Sequence, residues 1–477
     1  MKHAVAVLAT GLTLLGPPAH AAVTFDYIFD NGYPLSVSDD GKVIAGNQTD
    51  SHYTPFRWTQ ATGLVSLGRP QIVGGGGVPA ISANGSVIAS SIGSADSSYT
   101  TQGRWTSGGG WHELMPPVPA DGGLSDGSYG SVWGLSRDGA TVVGLYWRPG
   151  HGNRAHASKW TQATGVVDLG GCVTGQASRA NGVNFDGSVI AGWVETPVGP
   201  WRPAAWVNGS LVLLSDVPDP FNSHAGIGEA KYVSPNGDYI SGFMSDPETQ
   251  QRAATIWKRV GGAFGPPQVL GWVDGSAPEY GINIAYAVSN DGRIAVGYCS
   301  FDGSPFVTTG LIWTQATGVQ DINQYLADNG ILVDPNFTIQ SINAMTPDGT
   351  KIFGYGQMLT PPNTRKAFRI TIPFNNVAVS PPAQHARLEL EAPRPNPSSS
   401  ATRIDFALTF PSSADLSIYD TGGRRVSTLV HAALPAGRNS ATWDGRDASG
   451  RAVPAGVYRA RLVTPQGTRS RTVVRVN

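Results

Sequence analysis

One alternation of polar and apolar positions recurs along most of the chain. Each copy has a small polar residue, then D-G or N-G, then an apolar strand that ends in Gly or Ser. Asn-Gly and Asp-Gly between apolar runs favour tight hairpins, because both turn residues adopt positive φ. The copies are Ser38–Gly46, Ser82–Ser90, Ser136–Gly144, Asn184–Gly192, Ser234–Gly242, Ser289–Gly297 and Thr346–Gly354.

The copies lie about 50 residues apart, and each predicts a unit of four strands. An aromatic strand follows every copy but the last, where Ile370 takes the place of the Trp (Trp58, Trp105, Trp160, Trp206, Trp257 and Trp313). A TQATG turn follows three of these strands and predicts a fourth. The pattern predicts an all-β fold, a seven-bladed β-propeller over residues 22–375. The last unit lacks a clear fourth strand, which either Val23–Ile28 or Phe374–Ser380 could supply.

The connections between these strands differ in length on the two faces of the predicted ring. Antiparallel pairing places the short D-G and TQATG turns on one face and the long, irregular connections on the other. Because long loops on a rigid scaffold commonly carry binding residues, we expect a ligand-binding surface on the long-loop face. The candidate residues are Trp147, Arg148, His151, Arg154, His156, Trp193, Glu195, Trp201, His224, Glu229, Glu279 and Tyr298.

Aromatic rings beside Arg, His and Glu suit a polysaccharide or a surface protein as the partner. The main hypothesis is therefore a binding or adhesion module without catalytic activity. An alternative is a carbohydrate-active hydrolase or lyase that uses Glu195, Glu229 and Glu279 at the channel mouth. A second alternative is a purely structural surface protein, which would have a flat loop face.

Composition narrows the partners further. Lys and Arg number 33 against 34 Asp and Glu, so the sequence shows no electrostatic footprint for nucleic acid. The aspartates of the D-G turns offer one or two carboxylates each, too few for calcium, which takes six to eight oxygens. We therefore expect no metal and no cofactor, and we interpret these aspartates as turn formers.

The N-terminus predicts export. Lys2 and His3 precede the apolar run Ala4–Leu15, and Ala19–Ala21 has the small-residue pattern of a cleavage site. Residues 1–21 therefore predict a signal peptide and a secreted or surface-attached protein, and no later segment is long enough to span a membrane. Cys172 and Cys299 are too few for a disulfide scaffold, and we expect both as free thiols.

A different pattern begins after the repeats. Residues 376–396 are rich in Pro and Ser and predict a linker. Residues 397–477 contain short alternating strands with Gly turns, which predict a small C-terminal Ig-like β-sandwich. We interpret Trp443 as a core residue and Asp444 as a turn residue.

Two resemblances accompany these predictions. Pro55–Trp58 and Ala367–Ile370 resemble the motif of the extracellular repeat family named for His-Ala-Phe, which implies export but no particular chemistry. The strings LSIYDTGGRRVSTL and ATWDGRDASGRAVPAGVYRARL resemble the Ig-like domain of the flagellar hook-capping protein and the sorting domain of type IX secretion cargo. This second resemblance implies recognition by a secretion machinery, although Arg469, Arg471 and Arg475 stand where sorting domains more often have Lys.

Overall fold

The computed structural model describes residues 22–72, 76–115, 129–147, 154–171, 176–196, 199–214, 227–245, 251–273, 282–300, 308–373, 389–408, 412–434, 437–464 and 467–476. The chain forms two compact units, Met1–Ala378 and Val379–Asn477. Strands make up nearly all of the regular structure in the described residues of both units, so the fold is all-β, as predicted.

The first unit is built from antiparallel sheets with four main strands each, which we name A to G in chain order. One parallel pair, Arg252 with Ile282, joins sheets E and F. Strand β1 (Thr24–Asp30) belongs to sheet G. Sheet A contains β2 (Gly32–Val37), β3 (Val43–Gln48), β4 (Pro55–Thr59) and β5 (Gly63–Ser66). Sheet B contains β6 (Ala80–Ile81), β7 (Val87–Gly93), β8 (Thr100–Thr106) and β9 (Gly110–Glu113). Sheet C contains β10 (Gly130–Leu135), β11 (Thr141–Trp147), β12 (Ala155–Thr161) and β13 (Gly165–Asp168).

The remaining sheets follow the same order, with additions in E and F. Sheet D contains β14 (Ser178–Val183), β15 (Val189–Thr196), β16 (Gly199–Val207) and β17 (Ser210–Leu213). Sheet E contains β18 (Gly228–Val233), β19 (Tyr239–Ser245), β20 (Arg252–Val260) and β22 (Gln268–Gly271), and β21 (Ala263–Phe264) also pairs with β20. Sheet F contains β23 (Ile282–Val288), β24 (Ile294–Ser300), β25 (Thr308–Thr314) and β26 (Gly318–Asp321), followed by helix α1 (Ile322–Asp328). Sheet G contains β27 (Phe337–Met345), β28 (Lys351–Met358), β29 (Arg365–Thr371) and β1.

The N-terminal strand completes sheet G. β1 pairs antiparallel with β29, with Phe25 opposite Ile370. The side chains of Arg369 and Lys366 on β29 form ion pairs with Asp26 and Asp30 on β1. This pairing confirms the N-terminal candidate for the missing strand, and the competing candidate, Phe374–Ser380, lies outside the described residues.

The repeated motif, a small polar residue followed two positions later by Asp-Gly or Asn-Gly, forms the turn between the first two strands of a sheet. In sheet F, Ser289 Oγ donates to Asp291 Oδ1 (2.7 Å) and accepts from Ile294 N–H (3.1 Å). Asp291 Oδ1 also accepts from Arg293 N–H (3.0 Å), and Gly292 adopts φ +70°. The motif therefore satisfies its own backbone donors at the turn and at the start of the second strand.

These turns also connect neighbouring sheets, at the end of the ring that we name the turn rim. The successive contacts are Asp39 N to Ala83 O (2.9 Å), Ala83 N to Arg137 O (2.7 Å), Asp138 N to Phe185 O (3.2 Å), Phe185 N to Pro235 O (2.9 Å), Asn236 N to Asn290 Oδ1 (3.2 Å), Asn290 N to Pro347 O (2.8 Å) and Lys351 Nζ to Asp40 O. The last contact joins sheet G to sheet A. The first strands of the sheets also contact one another in order, and β27 contacts β2. The first unit is therefore a closed, propeller-like ring.

The recurrent Trp position of the third strand packs between neighbouring sheets. Trp206 and Trp257 are buried, and their indole N–H groups donate to Leu169 O and Leu214 O in the preceding sheet (2.9 and 2.8 Å). Each indole thus fills the gap between two apolar sheet faces and satisfies its own polar atom.

A β-bulge recurs on the innermost strand, and the repeat encodes it. In sheet C, Val132 pairs with Gly144 and Gly134 pairs with Val143, so Trp133 has no cross-strand partner. A Cβ atom on Gly144 would lie 2.0 Å from Ser131 O, so only glycine fits opposite this bulge. The same register shift occurs in sheets A, D, E, F and G. Sheet B has Ser90 at the glycine position, and its described inner strand, Ala80–Ile81, has no bulge.

The opposite end of the ring, which we name the loop rim, carries the longer connections. The main departure from the predicted asymmetry is in sheet D, where only two residues separate Thr196 from Gly199. The pairing of these strands continues as far as Thr196 and Gly199, which lie opposite each other. Helix α1, which the sequence pattern did not predict, has Asp321 as its N-cap, whose side chain accepts from Asn323 N–H.

The second unit is a β-sandwich. One sheet contains β30 (Glu389–Leu390), β31 (Thr402–Leu408) and β34 (Gly437–Trp443). The other contains β33 (Arg425–Leu434), β32 (Ser412–Tyr419), β35 (Gly456–Thr464) and β36 (Gly467–Arg475). Trp443 is buried with its ring 5.1 Å from that of Tyr458, while Asp444 is exposed and accepts from Arg446 N–H (2.9 Å). Part of the predicted linker is a strand, because Leu390 is buried in this core.

Candidate binding site in the central cavity

A cavity of about 580 Å³ lies inside the ring of innermost strands. Its volume falls within the range of about 300–1,000 Å³ that is usual for small-molecule sites. The bulged position of six innermost strands, those of every sheet except B, contributes one side chain to its lining. These side chains are Leu35, Trp133, Asn181, Lys231, Tyr286 and Asn343.

A second group of lining residues comes from the loop rim near sheets A and G. Arg365 stands at the start of β29, and its guanidinium lies over the rings of Tyr33 (4.7 Å) and Tyr355 (5.2 Å). It also donates to the Tyr33 hydroxyl, and the two tyrosine rings are 4.9 Å apart in an edge-to-face arrangement. Because a guanidinium group stacks favourably on aromatic faces, the two tyrosine rings hold the Arg365 side chain in place.

Two buried amide side chains line the same part of the cavity. Asn47 is 4% exposed and Gln71 is 3% exposed. Asn47 Oδ1 and Gln71 Oε1 have no hydrogen-bond partner among the described residues. A buried acceptor without a partner costs about 1–3 kcal/mol, so a ligand donor that bonded to either atom would relieve that cost.

Lys231 belongs to a buried ion cluster. Glu229 accepts from Arg179 (2.6 Å) and from Lys231, and all three side chains are at most 16% exposed. Burial raises the pKa of Glu229, but the charges of Lys231 and Arg179 outweigh it, so the pKa lies below its ordinary value. Glu229 is therefore an ionised carboxylate with both cations held against it.

Aromatic side chains surround this cluster. Arg179 lies 3.9 Å from the centre of the Trp133 ring and 5.3 Å from that of Trp193. Tyr286 lies 5.5 Å from Tyr298, ring to ring, and burial raises the pKa of both hydroxyls. The two phenols are therefore neutral and can donate hydrogen bonds at physiological pH.

Arg137 lies at the turn-rim end of the lining and joins three sheets. Its guanidinium, in sheet C, pairs with Asp39 of sheet A. It also donates to Val37 O (2.9 Å) and Ile81 O (3.2 Å), carbonyls of sheets A and B. These contacts use most of its donors, so Arg137 stabilises the ring at this end.

The predicted site residues and the cavity lining are different sets. None of the predicted residues that the structure describes lines the cavity, although two of them lie next to lining residues. Glu229 pairs with Lys231, and the Tyr298 ring lies near that of Tyr286. Trp193 lies beside Arg179, which is outside the lining. Trp201 packs against Trp193, with ring centres 6.0 Å apart.

The other described candidates have structural contacts. His156, expected in a loop, lies in β12, where it is buried and contacts Asp168 (3.0 Å). Arg154 pairs with Glu195 (2.5 Å) and donates to Gln176 Oε1 (2.9 Å). Trp147 is half-buried at the end of β11. Arg148, His151, His224 and Glu279 lie outside the described residues.

The turn aspartates are explained by the turns. Asp40 Oδ1 accepts from Ser38 Oγ (2.7 Å) and Lys42 N–H (3.0 Å), and Asp348 Oδ1 accepts from Thr346 Oγ1 (2.6 Å) and Thr350 N–H (3.0 Å). The described residues contain no group of three or more His, Cys, Asp or Glu placed to hold a metal ion. Cys299 is a buried free thiol, and burial raises its pKa to about 12, whereas Cys172 lies outside the described residues.

The sequence contained a pattern that locates the cavity residues. In every sheet with a bulge, the lining residue stands six positions before the turn glycine, as Trp133 does before Gly139. A Gly at the end of the second strand marks the bulge, since no other residue fits there. The candidates predicted from the long loops did not include this position, because it lies on an inner strand and not in a connection.

The comparison with family models concerns the second unit. Residues 396–467 match the model of the FlgD Ig-like domain. The C-terminal unit carries a FlgD Ig-like domain. This match, together with the two packed sheets, confirms the predicted Ig-like domain. No curated protein matches the chain.

Solved structures similar to the chain share little sequence with it. The TolB protein of Acinetobacter baumannii is 16% identical with a TM-score of 0.34, and the alignment covers 49% of this chain and 53% of TolB. The chain thus spans about half the length of that protein. The β-propeller domain of the Trilobed protease of Pyrococcus furiosus is 10% identical with a TM-score of 0.42, and the alignment covers 72% of this chain and 95% of that domain.

A third similar structure is the hydrazine synthase of Kuenenia stuttgartiensis. It is 11% identical with a TM-score of 0.38, and the alignment covers 74% of this chain and 97% of that chain. Within the described part of the present chain, no helix is long and apolar enough to cross a membrane.

Proposed function

We propose that sheets A to G are the seven blades of an exported β-propeller that binds a glycan in its central cavity. The cavity itself carries the proposal, because rings, buried amide acceptors and cations converge on one volume of ligand size. Rings with polar edges pack against the apolar faces of sugars, while amides and guanidinium groups bond to their hydroxyls.

Binding without catalysis accounts best for the carboxylates. Glycoside hydrolysis needs a carboxylic acid with a raised pKa to protonate the leaving oxygen. The pKa of Glu229 is shifted downward, and Glu195 is paired with Arg154. The charged side chains of the described lining are Arg137, Lys231 and Arg365, all cations. This distribution favours a binding protein over the hydrolase or lyase.

The concave cavity likewise favours binding over a purely structural surface protein. The remaining parts of the chain fit the same proposal. Residues 1–21 would direct export, and the repeat would belong with the His-Ala-Phe extracellular repeats. The FlgD-like domain would serve as a type IX sorting or surface-attachment module, with a secretion machinery as its partner.

Binding of the full chain to an array of polysaccharides and cell-surface proteins tests the proposal. We expect retention on glycans and at least a tenfold loss for Tyr53→Ala, since Tyr53 is 45% exposed and lines the cavity. The matched control is Phe185→Ala, which changes a ring 49% exposed at the turn rim. The proposal would be contradicted if no glycan were retained, or if both variants lost the same affinity. New reducing or unsaturated chain ends would also contradict it, because they would show that the protein cleaves the glycan.

A further inference from the structure

Among the described lining residues, Arg365 is the cation that has no carboxylate opposite it. Of the other charged lining residues, Arg137 pairs with Asp39 and Lys231 pairs with Glu229. Within the described part of the chain, Arg365 contacts only neutral groups: the Tyr33 hydroxyl, the Gln357 side chain (3.5 Å) and the two tyrosine rings. Its planar donor fork is suited to a carboxylate, which it can bind through two parallel hydrogen bonds.

The lining near Arg365 also requires hydrogen-bond donors from a ligand. Asn47 Oδ1 and Gln71 Oε1 are buried acceptors without partners among the described residues, and Asn343 Oδ1 is a third. A fully ionised anion such as phosphate has only hydrogen-bond acceptors, so it would leave these three oxygen atoms without a donor. The ligand must therefore combine an anionic group with several hydroxyl or amine donors.

Ring faces provide the third requirement. Trp133 and Tyr286 reach into the cavity from bulges of two different sheets, and Tyr33 and Tyr355 enclose Arg365. A peptide would use the edges of the innermost strands for backbone pairing. The bulges at positions such as Trp133 and Asn181 interrupt those edges, so a strand added there could not form a regular ladder.

We propose that the cavity binds a saccharide bearing a carboxylate, a uronate-type sugar, with the carboxylate on Arg365 and hydroxyl groups on Asn47 and Gln71. This inference rests on the proposed glycan-binding function and specifies its ligand class. The acid group, the hydroxyls and the apolar ring faces of such a sugar match the cation, the acceptors and the aromatic rings, respectively.

Calorimetric titration of the full chain with trimers of galacturonate, glucuronate and mannuronate tests the inference. The matched probes are the methyl esters of the same trimers, which keep the rings and hydroxyls but lose the charge. We expect at least one acid to bind at least tenfold more tightly than its ester, with affinity that falls as salt rises. A tetrapeptide with a free C-terminal carboxylate is the competing ligand, and tighter binding of this peptide would overturn the inference.

Substitution of the cation separates its role from general packing. Arg365→Met should abolish the preference for acid over ester, and Arg365→Lys should retain part of it. Arg369→Met on the same strand is the control, since Arg369 pairs with Asp26 and does not line the cavity. An unchanged preference in Arg365→Met, with Arg369→Met also unchanged, would overturn the inference.

A second variant has opposite expected effects on stability and binding. Gln71→Met removes a buried acceptor without a partner among the described residues and keeps the side-chain volume, so we expect an equal or higher unfolding temperature. The same change should weaken binding of the acid trimer several-fold. If the unfolding temperature changed but the affinity for the acid trimer did not, Gln71 would have no role in binding the ligand.

The outcomes distinguish this inference from the function on which it depends. If Tyr53→Ala weakens acid and ester equally and neither is preferred, glycan binding stands and the uronate inference falls. If no saccharide binds the full chain, both fall.

Discussion

The two ends of the ring use the same repeat for different purposes. At the turn rim, polar groups satisfy one another, as Ser289 and Asp291 do, and successive turns bond to their neighbours. At the cavity and loop rim, the polar groups include Asn47, Gln71 and Arg365, which have unused capacity for a ligand. In this ring, a residue type that recurs in every repeat has a structural role. The position whose residue type varies from repeat to repeat, on the bulge of the inner strand, lines the cavity.

The largest effect is expected for Glu229→Gln beside the cavity. The change leaves Arg179 and Lys231 buried without their counter-charge, at a cost of about 3–5 kcal/mol in the free energy of unfolding. Denaturation at pH 7 measures it. The control is Asp30→Asn, which breaks the more exposed ion pair with Lys366 and should cost about 1 kcal/mol or less. Equal costs for the two variants would contradict the special role of the buried cluster.

The same variant has a defined pH dependence. Because the folded-state pKa of Glu229 lies below its ordinary value, its contribution is present above the ordinary glutamate pKa of about 4.3 and is lost as pH falls through the folded value. The unfolding free energies of wild type and Glu229→Gln should therefore converge on acidification. A constant difference down to a pH of about 3 would contradict the ion cluster.

Gly144→Ala tests the bulge that supplies the lining residues. The added Cβ would lie 2.0 Å from Ser131 O, and we expect a loss of about 3 kcal/mol as the inner strand shifts. At the equivalent position of sheet B, Ser90→Ala should cost about 1 kcal/mol or less. Chemical denaturation measures both, and equal costs would refute the link between this glycine and the bulge.

Arg137→Met tests the turn-rim end of the cavity. The loss of its contacts with Asp39, Val37 O and Ile81 O should lower the free energy of unfolding by about 2 kcal/mol. The cost is smaller than for the Glu229 cluster, because Asp39 is 40% exposed and solvent screens its pair with Arg137. Arg293→Met, which breaks an ion pair within one turn, should cost about 1 kcal/mol or less. Glycan affinity should remain within about twofold in both, and a larger loss would place Arg137 in the site.

The smallest effect is expected at a single turn. Ser289→Ala removes a donor to Asp291 and an acceptor for Ile294 N–H, which should cost about 1 kcal/mol in unfolding free energy. Thermal unfolding checks this value, and titration with a glycan checks that affinity is unchanged. A loss of affinity would mean that the two rims are coupled.

The sequence was informative about the fold because its repeat is local. The D-G turn, its serine and the following strand lie within nine residues, and their hydrogen bonds explain the pattern directly. The pairing of β1 with β29 joins distant residues, yet the alternation in Val23–Ile28 and the missing fourth strand sufficed to suggest it.

The site was harder to predict because it is assembled from positions far apart in the chain. Arg365 and Tyr33 are separated by the whole ring, and their contact depends on its closure. The prediction from long loops selected His156 and Arg154, but both contact other side chains of the protein. The bulges made the lining harder to predict, since the extra residue in each inner strand changes the face on which the following side chains lie.

The bulge gives this architecture a practical property. Six side chains enter the cavity from equivalent backbone positions, and each stands outside the regular cross-strand register. Their identities already range from Leu35 to Lys231 on the same backbone. A designer could therefore vary positions such as Leu35 and Asn343 to re-target the pocket, while keeping Lys231, which pairs with the buried Glu229.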